Sequence, residues 1–289
     1  MTIEKELSCI LAFFSFWFGA CIASFLNVVI WRAPRGESIV SPPSHCPKCG
    51  ASIRWWQNIP IISWLSLAGK CASCRAPISP RYILVETLGG ALFLAAFLKY
   101  NPVYPFVWIP MVWTLLVAWI WIALMIAGSF IDFDHQLLPD FTTVGGMVLG
   151  LVFWLGCSIW LCVSGGEWTL ANFFGFGWSV AGLALGFGLL WFVRWLGTMV
   201  FKREAMGMGD VFLMGAVGAL YGPVAVLFTL IASSVLGSVV GFAMIAMSKA
   251  KLGRFTAIPY GPYICMACLL WIFCGEELVS WYLSLLGVR

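Results

Sequence analysis

Charge is scarce in this chain. Only 10% of its 289 residues are Asp, Glu, Lys or Arg, and it holds 2 histidines. A soluble domain of that length needs far more polar surface to stay in solution. No basic cluster is interleaved with exposed aromatics, so no nucleic-acid partner is expected. There is no Gly-rich strand–helix motif of the Rossmann kind. No convincing internal repeat is present, which counts against a transporter built from duplicated halves. The first apolar run, residues 7–31, has no basic start. It is also too long for a signal-peptide core of about 7–15 residues, so it reads as a retained helix.

What the chain has is apolar length: 62% hydrophobic residues and a mean hydropathy of +0.98. Runs of roughly 18 or more apolar residues read as membrane-spanning helices. The expected fold is therefore an all-α polytopic membrane protein with about eight helices. They are expected over residues 8–31, 82–98, 106–130, 141–163, 170–192, 210–221, from the Gly222-Pro223 turn to 247, and 259–274. Asn101, Pro102 and Pro105 mark a turn, and residues 164–167 a loop. The tail after Glu276-Glu277 is too short to span again and is expected at the interface. The domain division expected is a first helix (1–31), a polar, Pro-rich loop (32–81) and a seven-helix membrane domain (82–289).

Lysine and arginine placement sets the orientation. With the N-terminus outside, only Lys5, Lys99 and Arg289 of the 16 Lys and Arg residues fall on the outer side. The long loop and the acidic motifs described below then lie on the cytoplasmic face.

Of 11 cysteines, seven lie inside apolar runs and read as small buried hydrophobes, Cys265 and Cys268 among them. The other four form two C-x-x-C pairs in the polar loop, Cys46/Cys49 and Cys71/Cys74. Four thiolates satisfy the closed tetrahedral site of structural zinc. A metal clip also explains how so short a segment folds with little core. A redox pair or unliganded thiols are the alternatives, and a cytoplasmic location argues against structural disulfides. His45, beside a complete ligand set, reads as a bystander.

Carboxylates at the ends of apolar runs are functional candidates by default. The stretch Ile131-Asp132-Phe133-Asp134-His135-Gln136-Leu137-Leu138-Pro139-Asp140 carries three, and Gly207-Met208-Gly209-Asp210 a fourth. An intramembrane aspartyl protease needs two carboxylates close enough to share a proton, one to activate water and one to polarise the scissile carbonyl. Asp140 also suits the start of a helix, and Asp134 and His135 suit solvated interfacial positions. Gly207 and Gly209 would allow close approach and unusual dihedrals beside Asp210. Read as a transporter, the same acids would be expected near mid-membrane; read as a scaffold, the loop alone would matter.

The chain resembles the type IV prepilin leader peptidases, the bifunctional bacterial kind that also N-methylates its product. The likeness runs through Ser24-Phe25-Leu26-Asn27-Val28-Val29, Pro34-Arg35-Gly36-Glu37-Ser38, both C-x-x-C pairs, Asn58-Ile59-Pro60, Ile78-Ser79-Pro80-Arg81-Tyr82, residues 131–140 and the G-x-G-D motif. It implies that Asp132, with six residues between it and Pro139, and Asp210 are the catalytic pair. It implies a substrate that is a type IV prepilin or a type II secretion pseudopilin, cut at the cytoplasmic face of the bacterial inner membrane. The methyl donor would be S-adenosylmethionine, with the methyltransferase in the zinc-loop region and Gly69 tied to it. Glu37, Asp134 or Asp140 could meet the basic leader. Two departures stand out. Phe212 occupies the place of a usual lysine, and residues 163–170 look like an insertion.

Overall fold

The computed structural model describes residues 2–100, 108–165, 169–202, 204, 206–247 and 259–287. The turn expected at Asn101, Pro102 and Pro105 lies outside them. So do the first two residues of the expected third helix, Gly166 and Glu167 of the loop expected at 164–167, and the basic residues Arg203, Lys249, Lys251, Arg254 and Arg289. Among the described residues regular structure is helical apart from two isolated β-bridges, and seven runs are long and apolar enough to cross a membrane.

The chain divides into two compact units, residues 1–127 and 128–289. In the first, α1 (Thr2–Arg32) leads into a loop that holds two short 3-10 turns and the five-residue α2 (Ile62–Ser66). The loop returns to α3 (Arg81–Tyr100). Small residues let α1 and α3 approach closely: Gly19 packs against Gly89, and Gly89 against Ala23. The α3 helix, which the sequence groups with the later helices, thus packs on α1. The first part of α4 (Trp108–His135) joins them through Trp119. Its ring stacks on Phe93 at 5.3 Å, and its Nε1 donates to the Phe93 carbonyl at 3.0 Å.

The second unit takes the end of α4 from Gly128 onward. It adds α5 (Asp140–Gly165), α6 (Phe174–Phe201), α7 (Met208–Met247), α8 (Gly261–Leu270) and α9 (Glu276–Leu285). A π-helical turn, Trp271–Gly275, joins α8 to α9. The tail thus follows α8 without a break, in one apolar run, Gly261–Leu285.

The α7 run is broken at Gly222, where φ is 82° and ψ is −177°, just before Pro223. The chain folds back there. Gly186 of α6 touches the Met214 carbonyl oxygen, and a Cβ on it would lie 3.2 Å from Val226 Cγ2. In an unbroken helix those two residues would stand roughly 18 Å apart along the axis. The two helices expected on either side of Gly222-Pro223 are thus both present, as halves of one doubled-back element. Two polar groups inside this bundle are hydrogen-bonded across it, whereas Thr229 Oγ1 is buried without a partner among the described residues. Trp154 Nε1 donates to the Leu220 carbonyl at 2.9 Å, and Ser179 Oγ to that of Ala219 at 2.6 Å.

Candidate active site

The α4 helix does not stop at Phe130, as the sequence predicts, but continues to His135. It ends where Gln136 turns left-handed at φ 52°, still bonding the Asp132 carbonyl at 2.8 Å. Such a left-handed residue is a common helix stop, and Pro139 lies three positions on. Residues two apart on a helix face different ways. Asp132 accordingly turns inward and is 6% exposed, whereas Asp134 is exposed. Asp140 is also exposed, in the first turn of α5, where its charge suits the helix end. The hydroxyls that donate to the Pro139 carbonyl in that turn are those of Thr142, at 2.7 Å, and Thr143, at 3.4 Å.

Asp210 lies in the first turn of α7 and is 8% exposed. Asp132 and Asp210 are within electrostatic reach of each other. Among the described residues neither pairs with a cation. The pair is held by two contacts. Leu138 fills the gap between α7 and α8: a Cβ on Gly209 would sit 2.8 Å from Leu138 Cβ, and one on Gly261 3.1 Å from Leu138 Cδ1. The N–H of Gly261, at the start of α8, donates to Asp132 Oδ2 at 3.1 Å. Gly209 is therefore glycine for space. Neither it nor Gly207 has the left-handed backbone that an unusual dihedral would need.

Three neighbours of the pair escape a reading of the sequence. Gly261 is signalled only by the turn cluster Pro259-Tyr260-Gly261-Pro262. Tyr260 anchors that turn, its hydroxyl 2.7 Å from Ser233 Oγ. Cys265, one turn further along α8, bonds Ser129 and lies within electrostatic reach of both carboxylates. Phe212 packs on Phe187 at 5.7 Å, so an aromatic contact stands where the resemblance implies a lysine. Arg194 ties the approach to the G-x-G-D motif, bonding the Met206 carbonyl at 2.9 Å and Glu204 at 3.1 Å.

In the first unit the four loop cysteines converge. Their sulfurs lie within 4.8 Å of one another, with Cys46 Sγ and Cys74 Sγ 3.9 Å apart. A tetrahedral cage with bonds of about 2.3 Å separates its sulfurs by about 3.8 Å, so the set fits zinc. The two halves are built alike. The Cys46 N–H bonds Ala51 O and the Cys71 N–H bonds Ala76 O. Gly50 and Arg75, each following the second cysteine, are left-handed at φ 69° and 56°. The N–H groups of Cys49 and Lys48 lower the Cys46 thiol to about 6. The Ala51 N–H favours the Cys49 thiolate, but neighbouring thiols, Cys74 first, outweigh it and raise Cys49 to about 11. His45 bonds the Pro43 carbonyl at 3.1 Å, apart from the cage. Gly69 is left-handed at φ 66° and packed on the Trp64 ring, making it a turn glycine at the end of α2.

Comparison with known proteins covers both halves of this arrangement. The Bacterial Peptidase A24 N-terminal domain matches residues 17–100, which include the four cysteines. The model described as Type IV leader peptidase family matches residues 119–242, which include Asp132 and Asp210. A Stutzerimonas stutzeri protein named prepilin leader peptidase/N-methyltransferase is 36% identical over 92% of this chain and 91% of its own. A Pseudomonas aeruginosa protein of the same name is 35% identical, over 94% and 93% respectively. A Myxococcus xanthus protein, again of that name, is 39% identical over 81% of this chain, a match spanning 63% of the relative's length. No solved structure matches. Two relatives matched nearly end to end, and a family model that spans both buried aspartates, lead to one conclusion: this multi-pass membrane protein belongs to the type IV leader peptidase family.

Proposed function

We propose that the chain is a bifunctional prepilin peptidase. It cuts the leader from type IV prepilins or type II secretion pseudopilins and then N-methylates the new terminus. The observation that carries the first activity is the pairing of two buried carboxylates from separate helices, Asp132 and Asp210, neither bonded to a cation among the described residues. Like charges so close do not both ionise. The N–H of Gly261, at a helix N-terminus, favours charge on Asp132. Asp132 is then the base that takes a proton from water, and Asp210 is the acid that polarises the scissile carbonyl. After attack, Asp132 returns the proton to the leaving amine. Gly207 and Gly209 keep the backbone beside Asp210 slim.

The second activity belongs to the loop of the first unit, with Cys46, Cys49, Cys71 and Cys74 as zinc ligands that hold its shape. Bound there, S-adenosylmethionine would supply the methyl group, which the new N-terminal amine would take while the thioether leaves with the C–S electron pair and a proton passes to water. Gly69 acts by shaping the loop. The domain reading is a first helix, a zinc loop (32–81) and a peptidase region (82–289). The chain sits in the bacterial inner membrane, N-terminus outside, with the scissile bond presented at the cytoplasmic face. The exposed Asp134 or Asp140, or Glu37 in the first unit, would offer negative charge to a basic leader.

The two activities are separable by experiment. Asp132→Asn and Asp210→Asn should fail to methylate a precursor pilin, yet methylate a pilin supplied already cleaved. Failure on both substrates would tie methylation to the dyad and contradict this division.

A further inference from the structure

The cytoplasmic end of α1 and the start of α3 carry two charged side chains that leader cleavage does not use. Arg32 is 9% exposed and Glu86 8%. Burying a charge is costly unless it is bonded, and each of these is bonded to loop backbone. Arg32 donates to the Ser38 carbonyl at 3.0 Å and to that of Pro42 at 2.9 Å. Glu86 accepts the Ile61 N–H at 2.7 Å and so holds Ile61 at φ 62°, a conformation branched residues avoid. The stretches entering and leaving the first C-x-x-C turn, 38–44 and 58–61, are therefore each anchored by one buried charge.

Between these stretches and α1 lies a cavity of about 330 Å³. Ser24, Phe25, Val28 and Arg32 form its floor along one face of α1, and residues of 39–44 with Asn58 and Pro60 form its roof. The volume falls within the range of about 300–1,000 Å³ usual for small-molecule sites. Its lining is chemically mixed. Phe25 and the prolines offer flat apolar surface for a purine, and the Phe25 ring offers a face for a cation. Ser24, Ser44 and Asn58 suit sugar hydroxyls. A guanidinium has five N–H donors, and Arg32 leaves several free for a carboxylate.

We propose that this cavity holds the methyl donor, a nucleoside bearing a sulfonium and an amino-acid carboxylate, with the carboxylate on Arg32 and the sulfonium against Phe25. The assignment rests on the bifunctional reading above. It gives the cysteine cage a defined task, because the Cys46/Cys49 turn lies in sequence between the two roof stretches and would fix their spacing.

The test uses the full-length chain in nanodiscs and equilibrium dialysis with radiolabelled S-adenosylmethionine. Ser24→Trp and Val28→Trp, which fill the cavity, should each weaken binding at least about tenfold. Both should keep wild-type zinc content and leader cleavage. Phe14→Trp, on exposed α1 surface away from the cavity, should bind as wild type does. Photo-crosslinking of the wild type with an 8-azido analogue should label residues 21–44 or 58–60, a readout free of variant folding. Unchanged binding in both filling variants, or crosslinks elsewhere, overturns the cavity assignment while leaving bifunctionality standing. A wild type that neither binds the donor nor methylates overturns both.

Discussion

The amide of Gly261 donates to Asp132 Oδ2 at 3.1 Å, and a Cβ at Gly261 would sit 2.7 Å from that same oxygen. One residue thus orients the proposed base and leaves room for it. Gly261→Ala should displace the carboxylate and lower the leader-cleavage rate by about 100-fold, the scale on which small misplacements act. Zinc content should not change. Single-turnover cleavage of a prepilin peptide, beside metal analysis, checks this.

Gly209 and Leu138 meet so closely that a methyl group on the glycine would lie 2.8 Å from Leu138 Cβ. Gly209→Ala should reduce cleavage sharply, and Leu138→Gly in the same chain, which removes that Cβ, should recover part of the loss. The two changes should therefore be non-additive, as contacting residues are. A double-mutant cycle on cleavage rates reads this. Strict additivity would place the glycine's role elsewhere.

Zinc binding needs thiolates, so protons compete with the metal. The Cys46 thiol, lowered to about 6 by the N–H groups of Cys49 and Lys48, is already a thiolate at neutral pH. It begins to compete for a proton only as the pH falls through about 6. Zinc affinity should fall on acidification, and its dependence on pH should steepen by about one proton below pH 6. Competition with a chelator across pH 5–8 measures the slope.

At Gly69 the left-handed backbone and the nearby Trp64 ring, 2.8 Å from a would-be Cβ, both oppose a side chain. The backbone alone costs roughly 1–2 kcal/mol. Gly69→Ala should weaken zinc retention and methylation together while cleavage continues. Trp64→Ala should not restore them, since it leaves the backbone strain in place.

Much of this was legible in the residue pattern. The long apolar runs predict the helices, and the paired C-x-x-C spacing predicts the sulfur cage. What the pattern could not show was depth. Asp132, Asp134 and Asp140 look alike on the page, yet only Asp132 turns inward, because α4 runs five residues further than its apolar stretch suggests. Gly261 was invisible for a related reason. Its contribution is a backbone N–H delivered across 129 residues, and a main-chain donor leaves no compositional trace. Nothing in the residue pattern marks Arg32 or Glu86 as loop anchors, since a side chain bonded to remote backbone resembles any interfacial charge.

The central claim is that Asp132 and Asp210 act as one catalytic pair. Its most direct measurement is leader cleavage by purified Asp132→Asn and Asp210→Asn chains, with zinc content and helical circular dichroism recorded alongside. Each variant should lose cleavage by roughly 1,000-fold or more while keeping its metal and its helix content. Cleavage near the wild-type rate by both single variants would contradict the account.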